Sequence, residues 1–378
     1  MHIALITYST KPRGGVVHTL NLAEALVDAG AQVTVWSLAR AGDRGFFRAV
    51  DPRVRLRLVD FPAVDGETVT ERIVRSIDTM RRAFTPDDHD IVHAQDCISA
   101  NAVGRCIRTV HHLDTFTTPV LADCHEKAIA EPYAHICVSA AVASEVTAGW
   151  GLHPTVIANG VDAERFAAAA TDTPAATAGR DRWRDRLGRH ILAVGGIEPR
   201  KGSIDLLEAY AQLQISHPDV ALVFAGGETL FDYREYREAF DRRGAELAVA
   251  PVVLGTVDED ELPALVASAE VFAFPSVKEG FGLAAMEALA AGRPVVTRDL
   301  PVLREVFGDT VGYAATVEEL ARELDEAITS HPDRTDTGRA DAGRALAQSM
   351  TWETAAARHL EFYAAHPRPA HSRHAQRT

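Results

Sequence analysis

Short runs of β-branched and apolar residues alternate with longer amphipathic stretches from the first residues onward. "IALITY" leads into "VVHTLNLAEALVDAG", and "QVTVWSL", "VRLRLV", "ERIVRSIDTMRRAF", "DIVHAQ", "RTVHHL" and "HICVSA" carry the alternation on. Strand-length runs separated by helix-length stretches predict βα units and a parallel sheet. The alternation pauses after "TVIANGVD", where residues 167–180 are small, polar and proline-containing, a composition that reads as a linker. A second series then begins with "HILAVGG" and "IDLLEAYAQLQ" and runs through "VALVFAGG", "PVVLGTV", "EVFAFPS" and "FGLAAMEALAAG" to "RPVVT". The pattern predicts an α/β protein of two doubly wound domains, 1–165 and 185–350, joined by a linker at 166–184. Residues 367–378 read as a disordered tail.

Composition agrees with that division. A chain of 378 residues, 47% of them apolar, can bury a core in each of two domains. The formal charge of −14 argues against a nucleic-acid binder. The acidity is uneven, because residues 1–160 carry 15 Lys+Arg against 18 Asp+Glu and most of the excess lies beyond them. The N-terminal half is therefore the half suited to an anionic or membrane-borne partner. Four cysteines without C-x-x-C spacing, and a strand directly after Met1, imply a reducing cytoplasm. No apolar run reaches the roughly 18–20 residues that span a bilayer, so membrane contact is expected to be peripheral at most.

Ligands of open α/β sheets bind outside the carboxyl ends of the strands, and the suggestive motifs lie there. After the first strand, Gly14 and Gly15 precede a helix whose free N–H groups and dipole suit an anion; a plain tight turn accounts for this pair equally well. The stretch is not G-x-G-x-x-G, which removes the support for a dinucleotide enzyme. After the first strand of the second series comes "GGIEPRKGSIDLLEAY". It is not a P-loop. A glycine pair, Arg200, Lys201 and a capping Ser203 nevertheless gather positive charge and N–H groups where two phosphates would be well served. With only four lysines against 35 arginines, Lys201 stands out.

"SVKEGFGLAAMEALAAG" places Glu279 and Glu287 eight positions apart. Glu279 sits beside Gly280, Phe281 and Gly282, where a carboxylate can accept from sugar hydroxyls while bare amides donate to others. Glu287 falls within an apolar helix, where a buried charge is costly without a partner, and a ribose diol would be one.

In order along the chain, Gly14-Gly15, "VSAAVASEV", "VIANGVD", "LAVGGIEPRKGSIDLLEAY", "LVFAGG", the E-x7-E stretch and "SMTWETAAARHLEFY" resemble glycosyltransferase family 4. The resemblance covers nearly the whole chain. It implies a GT-B architecture, two Rossmann-like domains facing a central cleft, with a closing helix at 351–366 that crosses back to the N-terminal domain on Trp352, Leu360, Phe362 and Tyr363. It implies a retaining glycosyltransferase that uses a nucleotide-sugar donor, with UDP favoured and GDP or ADP open, no other cofactor and no metal. Lys201 and Gly15 match residues at the donor diphosphate, Glu279 the donor-sugar carboxylate, Glu287 the ribose carboxylate and His111 the active-site histidine, with His112 one register away. His93 matches a strand-end histidine of structural character. Gly196 stands where the family usually has an arginine, which leaves Arg200 as the substitute cation.

A metal site at His111, His112 and Asp114 is disfavoured, because successive strand residues point to opposite faces. The implied catalysis is electrostatic: groups preorganised around the leaving phosphate stabilise its growing charge, and no enzymic nucleophile is required. The acceptor, a carbohydrate, lipid or small metabolite, is left open. So are two other uses of the same architecture, a nucleotide-sugar epimerase or phosphorylase and a catalytically silent binder.

Overall fold

The computed structural model describes residues 1–40, 42–116, 118–227, 233–329 and 337–368. They divide into two units: Met1–Val138 and Val142–Gly160 with the chain from Trp352 onward, and Ser139–Ala141 with Val161–Thr351.

In the first unit seven strands, β1 (His2–Ile6), β2 (Gln32–Arg40), β3 (Arg55–Phe61), β4 (Ile91–Ala94), β5 (Ile107–Val110), β6 (Ala134–Cys137) and β7 (Thr155–Val156), form one sheet. Its order is β3-β2-β1-β4-β5-β6-β7, and every pairing is parallel. Helices pack on the sheet, so β4, β5 and β6 are buried at every residue, including His93, Arg108, Thr109 and His135, which interrupt their otherwise apolar sequences. The strand order reverses direction between β1 and β4, and this switch point is where such a sheet opens to a ligand. Helix Gly14–Asp28 begins beside it.

The second unit repeats the design with six strands: β8 (Arg189–Val194), β9 (Val220–Ala225), β10 (Val252–Gly255), β11 (Val271–Phe274), β12 (Val295–Arg298) and β13 (Gly312–Ala314). Their order is β10-β9-β8-β11-β12-β13, again all parallel, with the switch between β8 and β11. Leu206, Leu207, Phe224, Phe240, Val271 and Leu324 sit in its core.

The closing helix, Trp352–Ala365, packs into the first unit. Ala356, Phe362 and Tyr363 join the core that contains Leu20, Leu22 and Ile91, while Trp352 and Leu360 pack against it half-buried. Tyr363 also bonds across to His93, its hydroxyl 2.8 Å from Nδ1.

Within the stretch 167–180 read as a linker, residues 167–169 and 174–180 are helical. Helices Ala163–Ala169 and Pro174–Leu187 cover most of the segment, and Trp183 and Leu187 are buried. The reason is local. Alanine is the strongest helix former, and a threonine before a proline starts a helix: Thr173 accepts from the Ala176 amide and Pro174 occupies the first turn. Of the expected tail, residues 369–378 lie outside the described residues, while Arg368 is docked, Nη1 donating to the Pro86 carbonyl at 2.6 Å. Among the described residues no helix is long and apolar enough to cross a membrane.

Candidate donor site and histidine cluster

In the second unit the chain leaves β8 through Gly195 and Gly196, makes a short 3-10 turn at Pro199–Lys201, and enters helix Ser203–Leu213. Gly202, at φ 62°, joins the two, and a Cβ there would lie 2.3 Å from the Pro275 carbonyl oxygen. Only glycine lets this loop approach the end of β11 so closely. The Val277 amide then donates to the Arg200 carbonyl at 2.9 Å, tying the loop after β8 to the loop after β11. Gly202 rather than Ser203 is the cap residue, and no side chain caps this helix; Ser203 is buried inside its first turn.

That loop contact brings residues 78 positions apart onto one atom. Lys201 Nζ donates to Glu279 Oε1 at 2.5 Å, and Arg200 Nη1 donates to the same oxygen at 2.9 Å. Arg200 Nη2 reaches Glu198 Oε1 at 3.0 Å, so the loop also carries a carboxylate that the sequence reading did not single out. The Lys201 ammonium stands 5.0 Å from the centre of the Phe274 ring. Burial pushes the lysine below its ordinary range, Glu279 holds it up, and Arg200 adds to the depression. Two cations and two carboxylates in a shielded spot at the switch point form a charge network whose positive members can be offered to an incoming anion.

Beyond Glu279, Phe281 is buried and Gly282, at φ 99°, begins helix Leu283–Ala290. A Cβ on Gly282 would meet Phe307 Cζ at 2.9 Å, so a glycine is required there too. Glu287 lies just past the first turn of this helix. Glu287 is not among the residues gathered on Lys201. Burial first and then the neighbouring Glu259 raise its carboxyl to about 8, with Arg165 opposing and Asp162 adding to the rise. Arg165 is itself committed to Glu259, Nη1 to Oε1 at 2.6 Å. Neither residue carries a sequence motif that would have singled it out.

In the first unit Gly14 and Gly15 open helix Gly14–Asp28, whose N-cap Arg13 makes no side-chain capping bond. The first amides of the helix are thus not capped by that side chain. β5 ends at Val110, so His111 and His112 belong to the loop after it rather than to a strand. His111 faces Gly15: a Cβ on Gly15 would sit 3.7 Å from His111 Cδ2. His112 turns toward Asp114, 3.4 Å away. Of the two histidines, His111 is the one beside the start of helix Gly14–Asp28.

His111 packs edge-on against His18, ring centres 4.7 Å apart, and His18 Nδ1 pairs with Asn159 Oδ1 at 2.9 Å. His18 lies three residues after Gly15, on the same helical face, a spacing from which it was detectable in the sequence. Burial, before any neighbouring charge, holds both rings below histidine's ordinary range. His93 is bonded on both nitrogens, to Tyr363 at 2.8 Å and to Thr109 at 2.6 Å, which suits a structural role. Among the described residues no group of three or more His, Cys, Asp or Glu side chains is placed to hold a metal ion.

Two doubly wound parallel sheets, each with its motif residues at the switch point, define an α/β protein of the GT-B fold. The chain belongs to glycosyltransferase family 4: residues 12–165 match the family described as "Glycosyltransferase Family 4" and residues 184–343 that described as "Glycosyl transferases group 1". A phosphatidyl-myo-inositol mannosyltransferase of Mycolicibacterium smegmatis is 30% identical over 82% of this chain and 79% of its own. A D-inositol 3-phosphate glycosyltransferase of Corynebacterium aurimucosum is 26% identical over 96% of both chains. Among solved structures, sucrose-phosphate synthase from Thermosynechococcus elongatus superposes with a TM-score of 0.76 at 19% identity, over 96% of this chain and 98% of that one. Anabaena HepE, solved with UDP and glucose, gives 0.71 at 18%, over 96% and 99%. The protein is a glycosyltransferase.

Proposed function

We propose that this glycosyltransferase moves a hexose, with retention of anomeric configuration and without a metal ion, from a nucleoside-diphosphate sugar to an acceptor held by the first unit. UDP is the favoured nucleotide, with GDP and ADP as the other members of the class. The observation that carries the reading is the convergence of Lys201 and Arg200 on one oxygen of Glu279. It puts a cation pair and a sugar-type carboxylate together at the switch point of the second unit. The relatives named for mannosyl and glycosyl transfer, and the neighbour solved with UDP and glucose, support the donor class.

In this reading the bond between the anomeric carbon and the β-phosphate oxygen breaks, and negative charge grows on the phosphate. Lys201 and Arg200 stabilise that charge, and the loop geometry holds them in place beforehand, so little reorganisation is needed. The acceptor oxygen forms the new bond on the same face of the sugar, and its proton passes to the departing phosphate. Glu279 orients the sugar hydroxyls and Glu287 the ribose. Within the first unit, the amides of Gly14 and Gly15 at a helix start suit phosphate oxygens, and His111 stands beside Gly15 as the candidate sugar-side residue.

Calorimetric screening of UDP-, GDP- and ADP-hexoses, followed by mass spectrometry of products with acceptor mixtures, tests the assignment. A sugar-bearing acceptor product, dependent on Lys201, is expected. Interconversion of the nucleotide sugar itself, with no acceptor consumed, would overturn it in favour of an epimerase.

A further inference from the structure

Arg13, Arg40, Arg72 and Arg75 of the first unit gather near the carboxyl ends of β1, β2 and β3. Tyr8 follows β1, Arg13 precedes helix Gly14–Asp28, Arg40 ends β2 and Phe61 ends β3. The guanidinium carbons of Arg13 and Arg40 lie 6.0 and 5.6 Å from the centre of the Tyr8 ring. Arg40 also stands 5.0 Å from the Phe61 ring, with Arg75 over the same ring at 3.8 Å. Arg72, one turn from Arg75 on helix Val69–Ala83, adds its charge to the field at Arg40.

Arg75 shows what a structural arginine looks like here. It is held by Glu67 through two bonds, Nε to Oε1 at 2.5 Å and Nη2 to Oε2 at 2.8 Å. Arg40 has no such partner. It makes no ion pair among the described residues; Nη2 reaches the Ser76 hydroxyl at 3.2 Å, and Nε is buried without a hydrogen-bond partner there. The nearby Asp96 does not supply the missing carboxylate, because its oxygens accept from the Tyr8 amide at 3.0 Å and from the Ser99 amide and hydroxyl, each at 2.8 Å. Burial and the fields of Arg72 and Arg13 together bring Arg40 down to about 10, against the opposing pull of Tyr8 and Asp96. An arginine shielded from water with other arginines for company, and no carboxylate of its own, is unfavourable for the fold alone. An anion with several oxygens would relieve it, since the guanidinium fork matches phosphate.

We infer that the cluster around Arg40, with Arg13, Arg72 and Tyr8, is the part of the acceptor site that binds a phosphate group on the acceptor. It lies beside Gly15 on the same edge of the sheet where the first unit opens to ligand, so a phosphate held there leaves the rest of the acceptor to reach toward Gly15 and His111. The assignment of an acceptor rests on the proposed transfer reaction. The presence of a phosphate site does not.

Equilibrium binding separates the two. Glucose 6-phosphate and glycerol 1-phosphate are titrated beside glucose and glycerol, and vesicles of phosphatidylcholine are compared with and without phosphatidylinositol. The phosphorylated member of a pair, or the phosphatidylinositol vesicle, is expected to bind at least about tenfold more tightly, and Arg40→Gln to remove that advantage, as for loss of one charge-assisted bond. Arg72→Gln is run in parallel, with circular dichroism to verify folding, in case Arg40→Gln does not fold. Preference for the soluble compounds marks a phosphorylated metabolite and preference for the vesicles a lipid headgroup; both support the site. The inference is overturned if phosphorylated and unphosphorylated probes bind alike. It is also overturned if the folded arginine variants keep the preference while Lys201→Ala loses it, since the phosphate then sits on the donor cations.

Discussion

Lys201 Nζ lies 2.5 Å from Glu279 Oε1, and the Arg200 guanidinium shares that oxygen at 2.9 Å. The pair is shielded, with 20% of the lysine side chain and 11% of the glutamate exposed. One carboxylate therefore sets the position of both cations that the proposed mechanism uses.

Lys201→Ala should lower turnover by about two to three orders of magnitude with the fold intact, as for removing one preorganised charge from a developing oxyanion. Arg200→Ala should cost less, because Lys201 makes the shorter contact to Glu279, 2.5 against 2.9 Å, and is the less exposed of the two cations. Steady-state kinetics on both variants checks the ranking, and near-normal turnover in Lys201→Ala would remove the diphosphate role.

Glu279→Gln should weaken binding of the intact nucleotide sugar and spare the free nucleoside diphosphate, whereas Glu287→Gln should weaken both. The two carboxylates lie in different surroundings within the second unit and are assigned to different parts of one ligand. Calorimetry with each ligand decides it, and equal effects of both variants on both ligands would refute the division.

Glu287 also predicts a pH dependence. Its folded value, about 8, is above the ordinary carboxyl value of 4.5. Between these values the folded state holds a proton that the unfolded state has lost, so this group makes stability fall as pH rises through the window. A ribose diol favours the ionised form. Nucleotide binding should therefore release a proton below pH 8 and tighten with rising pH, by up to about tenfold per unit. Titration calorimetry at pH 7 in two buffers of different ionisation enthalpy measures the release, and Glu287→Gln should abolish it.

The buried histidines of the first unit act in the opposite sense. His18, His93, His111 and His359 all sit below the ordinary 6.5, burial being the leading cause in each, with His359 near 4. Their contribution is complete above 6.5 and is lost as pH falls toward the folded values, at about 1.4 kcal/mol per pH unit for each ring kept neutral. Hydrogen exchange at pH 7.5 and 5.5 should show the first unit losing protection before the second, and uniform loss would count against the idea.

Removing the closing helix should unfold the first unit, although it follows the second in sequence. Tyr363→Ala alone should cost about 3–5 kcal/mol, since an aromatic ring in the core is deleted and His93 loses a partner. A chain ending at residue 350 whose first unit still melts cooperatively at the full-length temperature would contradict this.

Period and punctuation were enough to read two parallel sheets from the chain, because strands buried on both faces are short and mostly apolar and the helices between them carry an apolar stripe. The same logic placed Gly15, Lys201 and Glu279 after strands, where ligands meet such sheets. Alanine and threonine-proline chemistry was present in residues 167–180 too, but helix-forming and linker compositions overlap there, and the burial of Trp183 separated them. Other features depended on strand order, which no local pattern contains. The adjacency of β8 and β11 joins Lys201 to Glu279 across 78 residues. The adjacency of β1, β2 and β3 puts Tyr8, Arg40 and Phe61 on one edge. Ionisation is decided later still: the near-neutral value of Glu287 arises from burial beside Glu259, a residue 28 positions away, because the cost of a charge is set by the dielectric and the neighbours around it and not by the residue that carries it.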